Sequence, residues 1–311
     1  MTTADPVDIG RAADALRAGA LVILPTETVY GLAADAADPR AIARLYEAKG
    51  RPRFNPLIAH VSDRAMAERI ARLPGLAARL AEAFWPGPLT LVVEIKGRAA
   101  VCDLARAGLD TVALRAPAHP TALAVIEAFG GPVCAPSANR SGRPSPTTLA
   151  DAVEETGAAA AVALDGGPCA IGVESTVIGL TGGRAQLLRP GGLERAAIEA
   201  ITGPLAEAAA DAHRSPGRLA LHYAPHAPVR LGVTEPVAGE AWLAFGSAAS
   251  GPNIWNLSPA GDLREAAANL FAYLRAADRT NPPAIAVAPI PDRGLGEAIN
   301  DRLKRAAGFV G

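Results

Sequence analysis

The chain is poor in cysteine, and its cysteines are far apart. The three, Cys102, Cys134 and Cys169, form no Cys-x-x-Cys pair. This spacing argues against a disulfide framework or a zinc knuckle and is typical of a reducing compartment. No basic, apolar and small-residue succession opens the chain, so we expect no signal peptide. No apolar run approaches the roughly 20 residues that span a bilayer. We therefore expect a cytoplasmic protein without a membrane partner.

A large net charge of either sign is also missing, since the formal net charge is −1. The 311 residues include 30 basic and 31 acidic side chains, divided as 20 and 21 up to residue 204 and as 10 and 10 after it. Such balanced halves argue against a nucleic-acid binder that acts through bulk charge, although a local basic patch remains open. Half of the residues are hydrophobic, which is enough for the cores of two domains.

Periodicity and turn signals divide the chain into three parts. Strands and helices are interleaved over residues 1–203, which predicts an α/β fold with a twisted, partly antiparallel sheet. In this part, Asp38-Pro39 and Gly50 predict the start and end of a helix over residues 40–49. Residues 204–228 contain four prolines and weak periodicity, and we interpret them as an ordered linker. Residues 229–311 predict a small α/β domain without a GxGxxG or Walker motif.

Three polar segments are the most informative feature of the sequence. They are residues 25–32 (PTETVYGL), 49–52 (KGRP) and 137–139 (SAN), and we expect each of them on a loop at a sheet edge. Together they supply hydroxyls, an amide and two cations, a set that suits a ligand with many oxygen atoms such as a nucleotide. Each segment also has a plainer interpretation, such as a polar turn or two solvated charges at a helix end.

Lys49 carries the strongest chemical signal of these segments, because only three of the 30 basic residues are lysines. With Arg51 it could neutralise phosphate, and Gly50 between them would allow a close backbone approach. A lysine at a helix end contributes little stability, so we expect Lys49→Ala to reduce turnover more than folding.

Further polar residues follow predicted strands. Arg115 ends an apolar run and could bind a carboxylate with two hydrogen bonds. His60 ends another run and could donate to a carboxylate, although a lone histidine in such a place is more often structural than a ligand. The glycine-rich residues 165–176 lack the GK[ST] ending of a P-loop. His222 and His226 are four residues apart, but Pro225 between them argues against a helical metal pair.

These segments resemble one known family, the YrdC-like threonylcarbamoyl-AMP synthases. Within the first 203 residues the resemblance lies in residues 25–32, 49–60, 135–139, 172–176 and 188–191. Residues 215–225 resemble the interdomain linker of the long, two-domain form, and residues 294–303 resemble its C-terminal domain. The resemblance implies a YrdC-like twisted mixed sheet with helices, followed by a small Rossmann-like α/β C-terminal domain.

The family's reaction is the activity that the resemblance implies. L-Threonine, bicarbonate and ATP with Mg²⁺ would give threonylcarbamoyl-AMP and pyrophosphate, so the chain would be a nucleotidyltransferase. The product would pass to the tRNA threonylcarbamoyl transferase machinery, which modifies adenosine at position 37, and a weak contact with tRNA would accompany this transfer. No residue would act as a covalent nucleophile, and Mg²⁺ would be held mainly by the ATP phosphates rather than by protein ligands.

The resemblance also implies site residues. Around threonine it implies Thr28, His60, Arg115, Ala135 and Ser175. On the ATP side it implies Lys49, Arg51, Asn55, Thr111, Ser137, Asn139, Ser145, Arg189 and Tyr223. Of these, Lys49, Arg51, Ser137 and Asn139 would act directly in catalysis, and Tyr223 would close over the nucleotide. The linker lacks the Met-Lys-Tyr-Arg segment of some members, and Arg218 is the candidate replacement for its arginine.

Two alternatives remain at this point. A carbamoyl-adenylate-forming enzyme would share the first domain, but its relatives resemble multi-domain chains with Cys-x-x-Cys zinc pairs. A non-catalytic RNA-binding module could use the same concave sheet, although the balanced charge argues against it.

Overall fold

The fold consists of two β-sheets with helices packed against them. The structure is a computed structural model that describes residues 4–97, 100–207, 222–247 and 251–308. Most of the predicted linker, including Arg218, lies outside these described residues. The described parts of the linker are residues 204–207 and 222–228, and the second of these leads directly into the second sheet.

The first sheet has ten strands. They are β1 (Leu21–Leu24), β2 (Gly31–Asp35), β3 (Ile58–His60), β4 (Leu89–Glu94), β5 (Thr111–Arg115), β6 (Val133–Cys134), β7 (Ala160–Ala163), β8 (Thr176–Gly179), β9 (Gln186–Arg189) and β10 (Ala206–Glu207). Their order across the sheet is β10-β9-β8-β4-β5-β3-β6-β2-β1-β7. Parallel pairs such as β3 with β5 occur beside antiparallel pairs such as β4 with β5, so the sheet is mixed, as predicted.

Seven helices accompany this sheet in the described chain. They are α1 (Pro6–Arg17), α2 (Pro39–Lys49), α3 (Arg64–Ile70), α4 (Leu76–Phe84), α5 (Pro120–Phe129), α6 (Leu149–Thr156) and α7 (Arg195–Thr202). Helix α2 begins and ends as its sequence predicts. The Asp38 carboxylate accepts a hydrogen bond from the Arg40 amide, and Gly50 ends the helix with a φ of 57°.

Strands β2 and β10 differ from the sequence predictions. Strand β2 begins inside the segment expected to be a loop, and its sequence, Gly-Leu-Ala-Ala-Asp, has little strand propensity. Its hydrogen bonds with β1 and β6 hold it in the sheet, so tertiary pairing overrides local preference. Strand β10 lies in the segment interpreted as linker and pairs with β9.

The second sheet belongs to a smaller α/β unit. Its strands are β11 (Val229–Arg230), β12 (Ala241–Ala244), β13 (Ile254–Asn256) and β14 (Ile285–Val287), and its helices are α8 (Leu263–Arg279) and α9 (Leu295–Ala306). The strand order is β11-β14-β12-β13, and all three pairings are parallel. This is the open parallel sheet that a Rossmann-like unit has.

The two units share a hydrophobic cluster. The core of the second unit includes Val29 and Val173 from the first, together with Tyr223 of the linker. Gly172 lies so close to α8 that a Cβ atom on it would clash with the Ala267 carbonyl oxygen. The second unit therefore packs directly against the two loops that contain residues 26–29 and 172–176.

No helix within the described residues combines the length and the apolar character that a membrane crossing requires.

Candidate active site

A narrow cleft lies where these two loops meet strands β3 and β5. Its lining consists of Val29, Arg51, Pro56, Leu57, Ile58, His60, Arg115, Ala135, Pro136, Ser137, Glu174, Ser175, Arg189, His222 and Tyr223. These residues come from the first unit and from the linker residues His222 and Tyr223, in segments far apart in the sequence. The cleft is therefore a product of the tertiary fold and not of any one motif.

The pairing of β3 with β5 determines which residues lie side by side along the cleft. His60 pairs with Arg115 at one end, and Ile58 pairs with Ala113 two residues earlier. Ile58 and Ala113 belong to a small apolar cluster that also contains Val92, Val177 and Leu188. Because side chains alternate between the faces of a strand, Ala113 and Arg115 share one face of β5. The cleft thus has an apolar floor that ends at a histidine and an arginine.

Buried cations border the cleft. Lys49 is buried, and its ammonium group donates to the carbonyl oxygens of Ser137 and Asn139. Burial, reinforced by the neighbouring Arg51, lowers the pKa of Lys49 well below its usual range. Burial likewise lowers the pKa of Arg51 to about 10. Among the described residues no carboxylate forms an ion pair with Lys49 or Arg51, so an anionic ligand would supply the missing charge.

Arg115 is oriented by a buried ion pair. Its Nη2 donates to Glu27 Oε1 at 2.6 Å, and its Nε donates to the Gly87 carbonyl oxygen at 3.2 Å. Both partners of the ion pair are almost fully buried. The guanidinium is thereby fixed in one orientation at the end of β5, where its remaining N–H groups can meet a substrate carboxylate.

Glu174 is the carboxylate of the cleft lining. It accepts from Ser145 Oγ at 2.6 Å and from Arg302 Nε at 2.9 Å. Burial favours its protonated form, but Arg302 and Arg189 outweigh burial and lower the pKa of Glu174 to about 2. Glu174 therefore stays ionised at neutral pH, with both oxygen atoms already hydrogen-bonded.

The two histidines of the cleft are neutral at neutral pH. Burial, followed by the charge of Arg115, lowers the pKa of His60 to about 3. Burial is also the main cause that lowers the pKa of His222 to about 3. Each ring can therefore offer a nitrogen lone pair to a ligand without adding a positive charge.

Unpartnered polar atoms are concentrated around this cleft. Nine buried side-chain N or O atoms of the described residues have no hydrogen-bond partner. Five of them belong to the cleft lining or to the loops directly behind it: Arg51 Nε, Asn55 Oδ1, His60 Nδ1, Asn139 Oδ1 and His222 Nδ1. Because a buried polar atom without a partner is costly, this concentration indicates a site built for a polar ligand.

His222 and Tyr223, in the described part of the linker, lie against the cleft. The Tyr223 ring is buried, packs edge-to-face on His222 at 3.9 Å between ring centroids and lies 5.3 Å from Phe271 of α8. The open space inside the cleft is about 50 Å³. Pockets for drug-sized ligands occupy about 300–1,000 Å³, so this cleft is narrower than a pocket that encloses such a ligand.

Most of the implied site residues meet in this cleft. Arg51, His60, Arg115, Ala135, Ser137, Ser175, Arg189 and Tyr223 line it. Others lie next to the lining residues: Lys49 donates to the carbonyl oxygens of Ser137 and Asn139, Asn55 precedes Pro56, Ser145 donates to Glu174, and Thr28 is hydrogen-bonded to Thr26 beside Val29.

Thr111 lies farthest from the other implied site residues. It is half-buried at the start of β5, four residues from Arg115, which is about 13 Å along a strand. It shares the face of Ala113 and Arg115, so it marks the far end of the same apolar floor.

The structure overturns one expectation about Lys49. Its ammonium group is a buried support for a loop rather than a solvated charge at the end of a helix. The expectation that Lys49→Ala reduces turnover more than folding therefore no longer follows from a solvated position, and it stays a prediction.

Sequence reasoning misses two functional residues. It marks Glu27 only as part of a polar segment and Glu174 only as part of a glycine-rich string, although each is a buried carboxylate that orients an arginine. The sequence signal that could have identified these two glutamates is an acidic residue among apolar residues and glycines. His222 and His226 do not share a ligand position, because His222 lines the cleft and the His226 side chain is 80% exposed beside Asp278.

Comparisons with known proteins agree over nearly the whole chain. Residues 14–191 match the family model described as "Telomere recombination", and residues 193–308 match the one described as "Threonylcarbamoyl-AMP synthase, C-terminal domain". The threonylcarbamoyl-AMP synthase of Pyrococcus abyssi is 42% identical over 96% of this chain and 93% of its own length. That of Bacillus subtilis is 39% identical over 99% and 95%. The crystal structure of P. abyssi Sua5 complexed with L-threonine superposes with a TM-score of 0.91 at 39% identity, covering 99% of this chain and 96% of the other.

Proposed function

The chain belongs to the YrdC-like threonylcarbamoyl-AMP synthase family, and from this membership we propose that it is a nucleotidyltransferase that forms threonylcarbamoyl-AMP and pyrophosphate from L-threonine, bicarbonate and ATP. The observation that carries the proposal is one cleft that contains an oriented arginine and neutral histidines and is bordered by two cations, Lys49 and Arg51, that form no ion pair with any described carboxylate. This arrangement suits two anionic substrates that must be brought together.

Threonine would bind at the end of the cleft formed by His60 and Arg115. Arg115, held by Glu27, would take the carboxylate, and neutral His60 would accept a hydrogen bond from the amine or the hydroxyl. Ser175, Thr28 and the Ala135 backbone would complete the pocket. A buried hydrogen bond to the hydroxyl would reject valine more strongly than serine, because valine would leave a polar group unpaired.

ATP would lie along the cleft, with its base near Ile58 and its phosphates near Arg51 and Arg189. Ile58 lines the cleft, is half-buried and packs with Ala113 and Val177, so it offers an apolar contact for a flat base, and Thr111 lies at the start of β5. Arg51, Arg189, Ser137 and Asn139 would meet the phosphates, and Lys49 would keep the Ser137 loop in place and add positive charge.

Mg²⁺ would enter as the ATP complex. Within the described residues no group of three or more histidine, cysteine or acidic side chains could hold a metal ion, and both oxygens of Glu174 are already hydrogen-bonded. The residues therefore fit an ion whose ligands are phosphate oxygens and water, which is the usual preference of Mg²⁺. The ion would neutralise phosphate charge.

The chemistry would proceed in two steps. The threonine amine attacks the carbon of bicarbonate, giving a carbamate and releasing water. A carbamate oxygen then attacks the α-phosphorus of ATP, and the bond between this phosphorus and the oxygen that bridges it to the β-phosphorus breaks to release pyrophosphate. The cleft would neutralise and align the two anions, and orientation of this kind can lower a barrier by about 7–11 kcal/mol in favourable cases. No residue needs to act as a covalent nucleophile.

The acceptor of the product would be the transferase machinery that modifies adenosine 37 of tRNA, with at most weak contact between this chain and tRNA. We place this activity in the cytoplasm.

Pyrophosphate release from ATP and Mg²⁺ is the direct test, with threonine and bicarbonate each omitted in turn. Release that requires both, with the mass of threonylcarbamoyl-AMP in the product, would establish the synthase. Release without threonine would favour the carbamoyl-adenylate former. Salt-sensitive binding of bare tRNA without release would favour the RNA-binding module.

A pair of variants links this reaction to the cleft. Arg51→Met removes a cation that lines the cleft, whereas Arg53→Met removes an exposed arginine two residues away in the same loop. We expect Arg51→Met to lower kcat/KM by at least about 100-fold, the scale of a lost electrostatic contact to the transition state. Arg53→Met should stay close to wild type, and equal losses in both variants would contradict the assignment.

A further inference from the structure

Arg302 of helix α9 is a buried arginine that reaches from the second unit to the wall of the cleft. Its exposed fraction is 1%. Arginine is rarely buried to this degree unless it is paired, and its placement therefore calls for a reason.

Arg302 contacts two residues that are each adjacent in sequence to a residue of the proposed site. Nε donates to Glu174 Oε2 at 2.9 Å, and Nη1 donates to the Pro190 carbonyl oxygen at 3.0 Å. Glu174 precedes Ser175, and Pro190 follows Arg189, so one guanidinium ties the loop before β8 to the end of β9. Arg302 does not line the cleft itself.

The same guanidinium also faces Tyr223. Its carbon lies 5.3 Å from the centroid of the tyrosine ring, within the range of a cation–π contact. Tyr223 has a φ of 63°, a left-handed conformation that is unfavourable for a bulky residue and persists only where its surroundings enforce it. Arg302 on one side and Phe271 of α8 on the other supply these surroundings.

We propose that Arg302 is a positioning residue for nucleotide binding, through which the second unit holds Glu174, Pro190 and Tyr223 in the closed arrangement of the cleft. The proposal rests on the proposed function, since it takes ATP as the ligand that the closed cleft retains. It gives the second unit a role in the reaction, because α9 is then part of the device that orders the nucleotide site.

A purely structural role is the competing explanation, and α9 contains a matched control. Glu297 of the same helix pairs with Arg195 of α7 at 2.6 Å. This pair also joins the two units, but neither partner touches Glu174, Pro190 or Tyr223. Arg195→Met thus weakens the docking of α9 without disturbing the cleft.

Two measurements on wild type, Arg302→Met and Arg195→Met decide between the explanations. Calorimetric titration with ATP and Mg²⁺, without threonine or bicarbonate, gives the nucleotide Kd, and pyrophosphate release gives kcat and the KM of each substrate. We expect Arg302→Met to raise the Kd and KM for ATP at least about tenfold, the effect of a loss near 1.4 kcal/mol. The KM for threonine should change much less, and Arg195→Met should leave the ATP values close to wild type.

Arg302→Lys is a second variant that guards against a folding defect in Arg302→Met. Lysine preserves the charge beside Glu174 but cannot donate to Glu174 and Pro190 through a planar fork, so its ATP Kd should fall between those of wild type and Arg302→Met. If Arg302→Met does not fold, Arg302→Lys decides alone. Unchanged ATP values in the folded arginine variants, or an equal loss in Arg195→Met, would overturn the proposal. Absence of ATP binding in the wild type would instead refute the proposed function.

Discussion

At the scale of single residues, the cleft is distinguished by charges that are buried before any ligand arrives. Lys49 and Arg51 lie close enough to disfavour each other's charge, and neither forms an ion pair with a described carboxylate. Arg115 and Arg302, in contrast, each have a carboxylate partner that fixes their orientation. The first pair is therefore suited to receiving an anion, and the second pair to holding the shape of the site.

Lys49→Met tests whether Lys49 supports the loop as well as the reaction. We expect a loss of about 1–3 kcal/mol in the free energy of unfolding, because the carbonyl oxygens of Ser137 and Asn139 lose their donor. The lowered pKa of Lys49 shows that burying its charge is unfavourable, which keeps this loss small for a buried lysine. Activity should fall much further than stability.

Lys304 provides the control for this prediction. It is exposed in the last turn of α9, so it is the solvated helix-end lysine that Lys49 is not. Lys304→Met should change the free energy of unfolding by less than about 0.5 kcal/mol. Urea unfolding of both variants gives the comparison, and an equally small change at Lys49 would show that its two hydrogen bonds contribute nothing.

At the scale of elements, the contact between helix α8 and the loop before β8 positions the second unit. Gly172 has a φ of 76°, and a Cβ atom there would lie within 2.6 Å of the backbone of Ala267 and Ala268. The same loop leads within three residues to Ser175 of the cleft. Any displacement of α8 from this loop would therefore reach the site.

Gly172→Ala should separate these elements. Alanine at this φ costs about 1–2 kcal/mol for conformation alone, and the clash with the α8 backbone adds to that cost because neither main chain can yield locally. Gly108 is a matched control, since it has the same φ of 76° and no atom lies within 4 Å of the point where an alanine Cβ would be. Chemical denaturation should show a loss for Gly172→Ala that exceeds that for Gly108→Ala by at least about 2 kcal/mol. Equal stability losses in the two variants would mean that separating α8 from the loop of Gly172 does not lower the stability of the chain.

At the scale of the whole molecule, the two units form one continuous structure around the cleft. The hydrophobic cluster that includes Val29, Val173 and Tyr223 is built mainly from residues of the second unit. Ion pairs add to this contact, such as Arg275 of α8 with Glu155 of α6 at 3.0 Å. The stability of the whole chain and the shape of its cleft are therefore linked.

Acidification should reveal this link through the two histidines of the cleft. His60 and His222 have pKa values of about 3 in the folded chain, against 6.5 as the usual value. Between these limits the unfolded chain binds more protons, so folding stability rises with pH up to about 6.5 and then levels off. From pH 7 to pH 5 we expect each histidine to remove about 2 kcal/mol from the free energy of unfolding.

Urea unfolding at pH 5, 6 and 7 measures this dependence. His60→Gln should reduce the difference between pH 7 and pH 5 by about 2 kcal/mol, because glutamine does not titrate. A wild-type stability that stays constant over this interval would contradict the burial of neutral histidines.

The sequence by itself determined the class of the fold and named most of the polar residues that line the cleft. Helices α2, α4, α5 and α6 and strand β5 follow from caps, prolines and apolar runs, because those signals act within a few neighbouring residues. The candidate site residues came from motifs that resemble one family, because such motifs keep particular side chains wherever the chain places them.

The tertiary structure alone decided what depends on distant contacts. Strand β2 exists because β1 and β6 pair with it, although Ala33 and its neighbours have little preference for a strand. The roles of Glu27, Glu174 and Arg302 depend on partners 88 and 128 residues away, and no local pattern encodes such a pairing. Burial has the same origin: the sequence shows that Lys49 ends a helix, but only the packing of the Ser137 loop over it removes its ammonium group from water.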